Sequence, residues 1–199
     1  MKKVLSLVIL ISLFFANCLA EDFGIGSYKN GLGIDGKTYS ASVRLKDDKI
    51  KYVYVFMATG SGLTGYFCFD GKDLNKFYEA LCAMKEKFVE WSNTAVENNI
   101  TSFSKEFDVK MPKGNLFWGD NKTWLDVRKT LKPTFMVVSG KPVLTLIGGA
   151  TATTNKYISE TFNLVFMDIN SYNDFVEIFN PEAALKKALE LQGVTKKFE

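Results

Sequence analysis

The sequence predicts an α+β fold: an antiparallel β-sheet of about six or more strands with helices on one face. Three observations lead there. Short apolar runs with strand-like alternation are separated by polar or glycine-containing turns, and two stretches carry apolar residues at three- and four-residue spacing. The order strand, strand, strand, helix also occurs twice, as expected if residues 21–106 and 107–199 were pseudo-repeat halves of one domain spanning 21–199.

Residues 1–20 stand apart. Lys2 and Lys3 precede an apolar run from Val4 to Phe15 interrupted only by Ser6 and Ser12, and Cys18-Leu19-Ala20 leads into Glu21 and Asp22. A basic start, an apolar block of about twelve residues and small side chains before a cut describe a secretory signal peptide, whereas a spanning helix needs roughly twenty apolar residues. The expected mature chain starts at Glu21 and is exported, to the periplasm or outside the cell. The alternative cut precedes Cys18, whose acylation would anchor the chain to an envelope membrane, although Asn17 stands where a lipobox has Gly, Ala or Ser. The basic start and the Lys-, Asn- and Phe-rich composition point to a bacterium.

From Glu21 to Lys37 the chain reads as a glycine-rich, turn-forming arm. Strands are then expected at Tyr39–Leu45, Ile50–Ala58 and Tyr66–Phe69, joined by a turn at Lys46-Asp47-Asp48-Lys49 and a Gly/Ser/Thr link through Gly65. A helix follows from about Asp73 to Asn98, with Leu74, Phe77, Leu81, Met84, Phe88 and Ala95 on one face and Trp91 at its margin. Asp70 and Asp73 are read as caps.

Between the halves, Leu116-Phe117-Trp118 and Thr123-Trp124-Leu125 flank Gly119-Asp120-Asn121-Lys122 as an aromatic hairpin. The second half repeats the first with strands at Thr134–Val138, Val143–Ile147 and Thr161–Met167, a turn at Ser139-Gly140-Lys141-Pro142, and a small-residue link from Gly148 to Asn155. A helix is expected to open near Asn173 behind Asp168. Another starts at Asn180-Pro181-Glu182, buries Leu185, Ala188, Leu189 and Gln192, and ends at Gly193.

Composition narrows function. Removing Lys2 and Lys3 from the 25 basic side chains leaves 23 against 22 acidic, a balance that argues against nucleic acid as partner. The absence of histidine removes the commonest general base, the Ser-His and Cys-His pairs and the commonest metal ligand. No cofactor or metal is expected. Cys68 and Cys82 would be the two cysteines left after export, a possible disulfide in an oxidising compartment.

Several motifs match without their contexts. Gly31-Leu32-Gly33-Ile34-Asp35-Gly36-Lys37-Thr38 reproduces the phosphate-loop pattern, but that loop needs a buried strand before it and a helix after it. Ser102-Phe103-Ser104-Lys105 and Ser171-Tyr172-Asn173 match two elements of penicillin-binding enzymes, and the third is missing. Asp168, Asn170, Asp174 and Glu177 fail the calcium-loop template, with Tyr172 at its fifth position and no Gly at its sixth.

The two small-residue links are the most unusual compositions. Thr59, Ser61 and Thr64 in the first and Thr151, Thr153 and Thr154 in the second are candidate ligand-binding residues, as are Trp118 and Trp124 at the hairpin. The leading expectation is a non-enzymatic envelope module that binds a protein or small molecule. The alternatives are a histidine-free hydrolase using carboxylates or a Ser-Lys pair, and a lipoprotein tethered through Cys18.

Overall fold

In a computed structural model, which describes residues 21–31, 37–119 and 124–198, strands β1 (Asp22–Lys29), β2 (Thr38–Lys46), β3 (Lys49–Thr59) and β4 (Thr64–Asp70) open the fold. A 3-10 turn at Gly71–Asp73 leads into helix α1 (Leu74–Glu97). Strands β5 (Ser102–Glu106), β6 (Gly114–Trp118), β7 (Trp124–Lys129), β8 (Lys132–Val138), β9 (Lys141–Ala152) and β10 (Asn155–Phe166) follow. Helices α2 (Ile169–Ile178) and α3 (Pro181–Thr195) end the fold. The α+β expectation holds: among the described residues ten strands form one antiparallel sheet, with the path β5-β8-β9-β10-β3-β4-β6-β7 and β1-β2 branching from β3.

Both expected meanders are present, β2-β3-β4 before α1 and β8-β9-β10 before α2. Each starts with a two-residue hairpin turn whose central residues have positive φ: Asp47 (52°) and Asp48 (53°) in one, Ser139 (50°) and Gly140 (77°) in the other. That turn type matches the right-handed twist of paired strands, which is why it recurs where two long strands fold back sharply.

The sheet curls until β7 returns to β9. Thr153 N–H donates to the Leu125 carbonyl at 3.2 Å, and Thr151 N–H donates to the Asp126 carboxylate at 2.8 Å. Gly148 makes the approach possible, since a Cβ there would lie 3.0 Å from Leu131 Cδ2 and 3.2 Å from Leu116 Cδ1. Gly65 acts alike in β4: a side chain would collide with the Phe162 ring and come within 2.8 Å of the Phe117 carbonyl oxygen.

Where β2 and β10 share one edge of β3, the strands must part. Pairs 41–55 to 46–49 join β2 to β3, while Phe162 and Asn163 pair with Thr59 and Ala58. Buried Asn30 fills the fork. Its Nδ2 donates to the Asn163 carbonyl at 2.8 Å and its Oδ1 accepts from Val165 N–H at 2.9 Å, so a side-chain amide replaces missing ladder bonds.

Alternation decides what lies under the helices. Val53, Val55 and Met57 of β3, Phe67 and Phe69 of β4, Leu116 of β6 and Phe162, Leu164 and Phe166 of β10 share the inner face and are buried. Onto them α1 lays Phe77 and Phe88, and α2 lays Tyr172 and Phe175. The rings meet at 5.0 Å (Phe69–Phe77), 6.2 Å (Phe88–Phe135) and 5.1 Å (Phe166–Tyr172). Tyr172 also donates its hydroxyl to the Leu81 carbonyl at 2.9 Å, tying α2 to α1.

Five local expectations are corrected. The segment read as an N-terminal arm is strand β1, burying Phe23, Ile25 and Tyr28; Gly24 and Gly26, where the register shifts, hid the alternation. The link Gly148 to Asn155 is mostly strand, because β9 and β10 form one long hairpin with Thr153-Thr154 at its tip. Helix α2 opens at Ile169, since Asp168 itself accepts from Ser171 N–H, and α3 runs through Gly193 to Thr195, burying Ala184 and Ala188. Asp70 and Asp73 occupy cap positions but make no side-chain cap bond.

Candidate functional site

The structure gathers most of the sequence-selected residues at one rim. Buried Thr59 pairs with Phe162, Thr64 pairs with Ala58, Gly65 pairs with Trp118, and Trp118 pairs with Trp124 while meeting the Phe162 ring edge-on at 5.6 Å. Ser61 donates its hydroxyl to Glu160, and Gly60 N–H donates to the Thr161 carbonyl at 2.8 Å. Thr151 and Thr153 lie further along the β9–β10 hairpin, bonded to β7, with Thr154 exposed at its tip. The Thr59 and Ser61 hydroxyls are satisfied within the rim itself. The Thr59 hydroxyl closes its own turn on the Leu63 carbonyl at 2.8 Å, and the Glu160 carboxyl, pushed up by burial, is brought below its usual value by the Ser61 hydroxyl and the N–H groups of Thr161, Ser61 and Gly60. Around Thr59, Ser61 and Glu160 these bonds close the β3–β4 turn onto β10.

The outer sheet face is different. Register places Phe56, Tyr66, Phe117 and Leu125 in one row across β3, β4, β6 and β7; the next row holds Ser42, Tyr54, Cys68 and Asn115; the row beyond holds Asp22, Arg44, Tyr52 and Asp70. An antiparallel sheet covered on one side normally presents polar residues on the other. Here rings Tyr54–Tyr66, Phe56–Tyr66 and Tyr66–Phe117 touch at 5.8, 5.3 and 4.8 Å, the last pair stacked, and each of these side chains is half-buried.

The phenols and the thiol of this face stay protonated at neutral pH. Burial pushes the Tyr54 phenol up to about 12, the Tyr66 phenol upward, and the Cys68 thiol up to about 11. At its border Arg44 makes a two-pronged bond to Asp22 (2.7 and 2.9 Å) and lies 5.5 Å from the Tyr54 ring centre. Such a face can bury apolar surface and offer phenol hydrogen bonds to a partner. A thiol held protonated is no nucleophile.

Other candidates fall apart. Ser102 and Lys105 lie in strand β5 three positions apart, hence on opposite faces, and the Lys105 ammonium sits 4.7 Å from the Trp91 ring centre. Strands β1 and β2 flank the phosphate-loop match, whose residues 32–36 lie outside the described ones, so no helix leaves it. Cys68 and Cys82 are both free thiols, one on the outer face and the other on α1 across the sheet. Cys18 lies outside the described residues. Among the described residues no group of three or more Cys, Asp or Glu is placed to hold a metal, and no helix is long and apolar enough to cross a membrane.

The sequence reading missed the stripe. The available signal was β3, where Tyr52, Tyr54 and Phe56 alternate with Val53, Val55 and Met57, giving two apolar faces. A scan against protein-family models and searches of curated proteins and of solved structures found no match to this chain.

Proposed function

We propose that the protein is exported to the bacterial envelope and acts there as a non-enzymatic module that binds a partner protein through its outer sheet face. The reading rests on one observation: Tyr54, Phe56, Tyr66 and Phe117 form a contiguous, uncharged aromatic stripe where a solvated sheet face would be polar. A few residues carry most of the binding energy at protein interfaces, and Tyr is over-represented among them because it removes a large apolar area from water at small entropic cost. The leader-like residues 1–20 and the missing histidine support export and weigh against catalysis.

The test is a photo-crosslinking amino acid placed at Phe117 of the full-length chain in its own cells, with the exposed Val89 on α1 as control. A discrete adduct at position 117 that is missing at 89 is expected. No adduct at either position, or equal adducts at both, contradicts the proposal. The mass of the unirradiated chain decides the address: a start at Glu21 supports soluble export, and an acylated Cys18 replaces it with a lipid anchor.

A further inference from the structure

Strand β5 leaves one edge of the sheet open. It ends the path β5-β8-β9-β10-β3-β4-β6-β7 and pairs with β8, whereas β7 at the other end turns back to β9. All of its residues, Ser102 to Glu106, are exposed. Phe107 N–H donates to the Pro133 carbonyl at 3.0 Å, and the ladder beside it runs without a register shift, Lys105 opposite Phe135 and Phe103 opposite Val137. In an antiparallel pair alternate residues exchange the main-chain bonds, so the odd-numbered residues of β5 bond to β8. The N–H and C=O groups of Ser102, Ser104 and Glu106 therefore point outward along a regular edge that pairs with no other strand among the described residues.

Proteins usually blunt such an edge with a proline, a bulge or a projecting charge. Strand β5 has neither proline nor bulge, and its lysine folds back, with Lys105 Nζ 4.7 Å from the Trp91 ring centre. Apolar surface accompanies the open backbone. Ile100 and Phe103 are 37% and 49% exposed, and with half-buried Trp91 they line a crevice of 230 Å³ between the end of α1 and β5.

This edge is complementary to itself. About a two-fold axis through Ser104, two antiparallel copies set Ser104 opposite Ser104, Ser102 opposite Glu106 and Phe103 opposite Lys105. Every outward-pointing group of β5 is then used, in about six main-chain hydrogen bonds. No like charges meet, and each Lys105, already beside Trp91, gains the Phe103 ring of the second copy on the same sheet face. Moving the axis to Lys105 sets lysine against lysine, and moving it to Phe103 leaves Glu106 outside the β5 pairing. Both shifts lose contacts that the Ser104 axis keeps.

We propose that β5 pairs with β5 of a second copy in this register, joining two sheets into one across a two-fold axis. So short a strand makes a small interface, and a dissociation constant on the order of 10 μM is expected. The test is sedimentation equilibrium of the chain purified from its own cells, over concentrations that bracket this value; a reversible monomer–dimer equilibrium is the expected result. Ser104→Pro should abolish it without loss of a β8 bond, because the Ser104 N–H faces outward and an edge strand accepts proline there. Ser102→Glu, opposite Glu106, should weaken the dimer about fivefold and Ser102→Lys should tighten it about fivefold, since each alters two cross-strand pairs. Ser102 is exposed, so these two changes spare the fold. Phe117→Ser on the aromatic stripe should leave dimerisation unchanged. A monomer at every concentration, a dimer that survives Ser104→Pro, indifference to the charge at position 102, or a dimer lost with Phe117→Ser overturns the proposal.

Discussion

Replacing Asn30 by alanine removes the amide that fills the fork between β2 and β10. With it go the 2.8 Å bond to the Asn163 carbonyl and the 2.9 Å bond from Val165 N–H, at a residue with no exposed surface. Each bond is worth about 1 kcal/mol net, and leaving a buried partner unsatisfied costs about 1–3 kcal/mol more, so a loss of about 3 kcal/mol is expected. In a chain of this size that lowers the melting temperature by about 9 °C. Asn30→Asp should be at least as harmful at neutral pH, because an anionic oxygen would face the Asn163 carbonyl. The assay is urea unfolding followed by fluorescence, with the midpoint compared at constant slope. A loss below about 0.5 kcal/mol, the range of an ordinary surface substitution, would mean that this amide does not stand in for the sheet ladder.

Gly65→Ala should destabilise by about 1–3 kcal/mol, because its Cβ meets the Phe162 ring and the Phe117 carbonyl; unfolding at the wild-type midpoint would contradict that close approach. Stability should fall on acidification. Asp168 is held low by the Ser171 hydroxyl and N–H; burial pushes Asp126 up, but the Thr151 N–H and Lys129 outweigh it and leave it low. A depressed folded value means that the stabilisation is present above the unfolded carboxylate range, about 4, and is lost as pH drops through the folded value. The urea midpoint at pH 3 should therefore lie below that at pH 6, and an equal midpoint would argue against these contacts. Cys68, pushed up to about 11, should alkylate slowly at pH 8 in the folded chain, and the unfolded, unreduced mature chain should take up alkyl groups at both Cys68 and Cys82; loss of that double labelling would reveal a disulfide.

Long-period patterns were legible in the sequence. The face of α1 was readable because Leu74, Phe77, Leu81, Met84 and Phe88 recur at helical spacing, and both meanders were readable because β-branched and aromatic runs end in polar turns. What escaped depends on partners distant along the chain. Strand β1 is held by β2 and covered by α2 and α3, so its glycine-broken alternation carried little local signal. The small-residue stretches stood out correctly as unusual, but Gly65 and Gly148 are small because rings and leucines from other strands press on them. The aromatic stripe required register: only pairing aligns Phe56 with Tyr66 and Tyr66 with Phe117.

On the function proposed, the outer face carries the protein's binding partner. The most direct measurement is native mass spectrometry of tagged full-length protein, gently extracted from its own cells, as wild type and as the Tyr66→Ser, Phe117→Ser variant. A mature chain starting at Glu21 with a bound partner protein, released by the double substitution while the fold persists, is the result expected. A bare wild-type chain, or a partner retained by the variant, would contradict it.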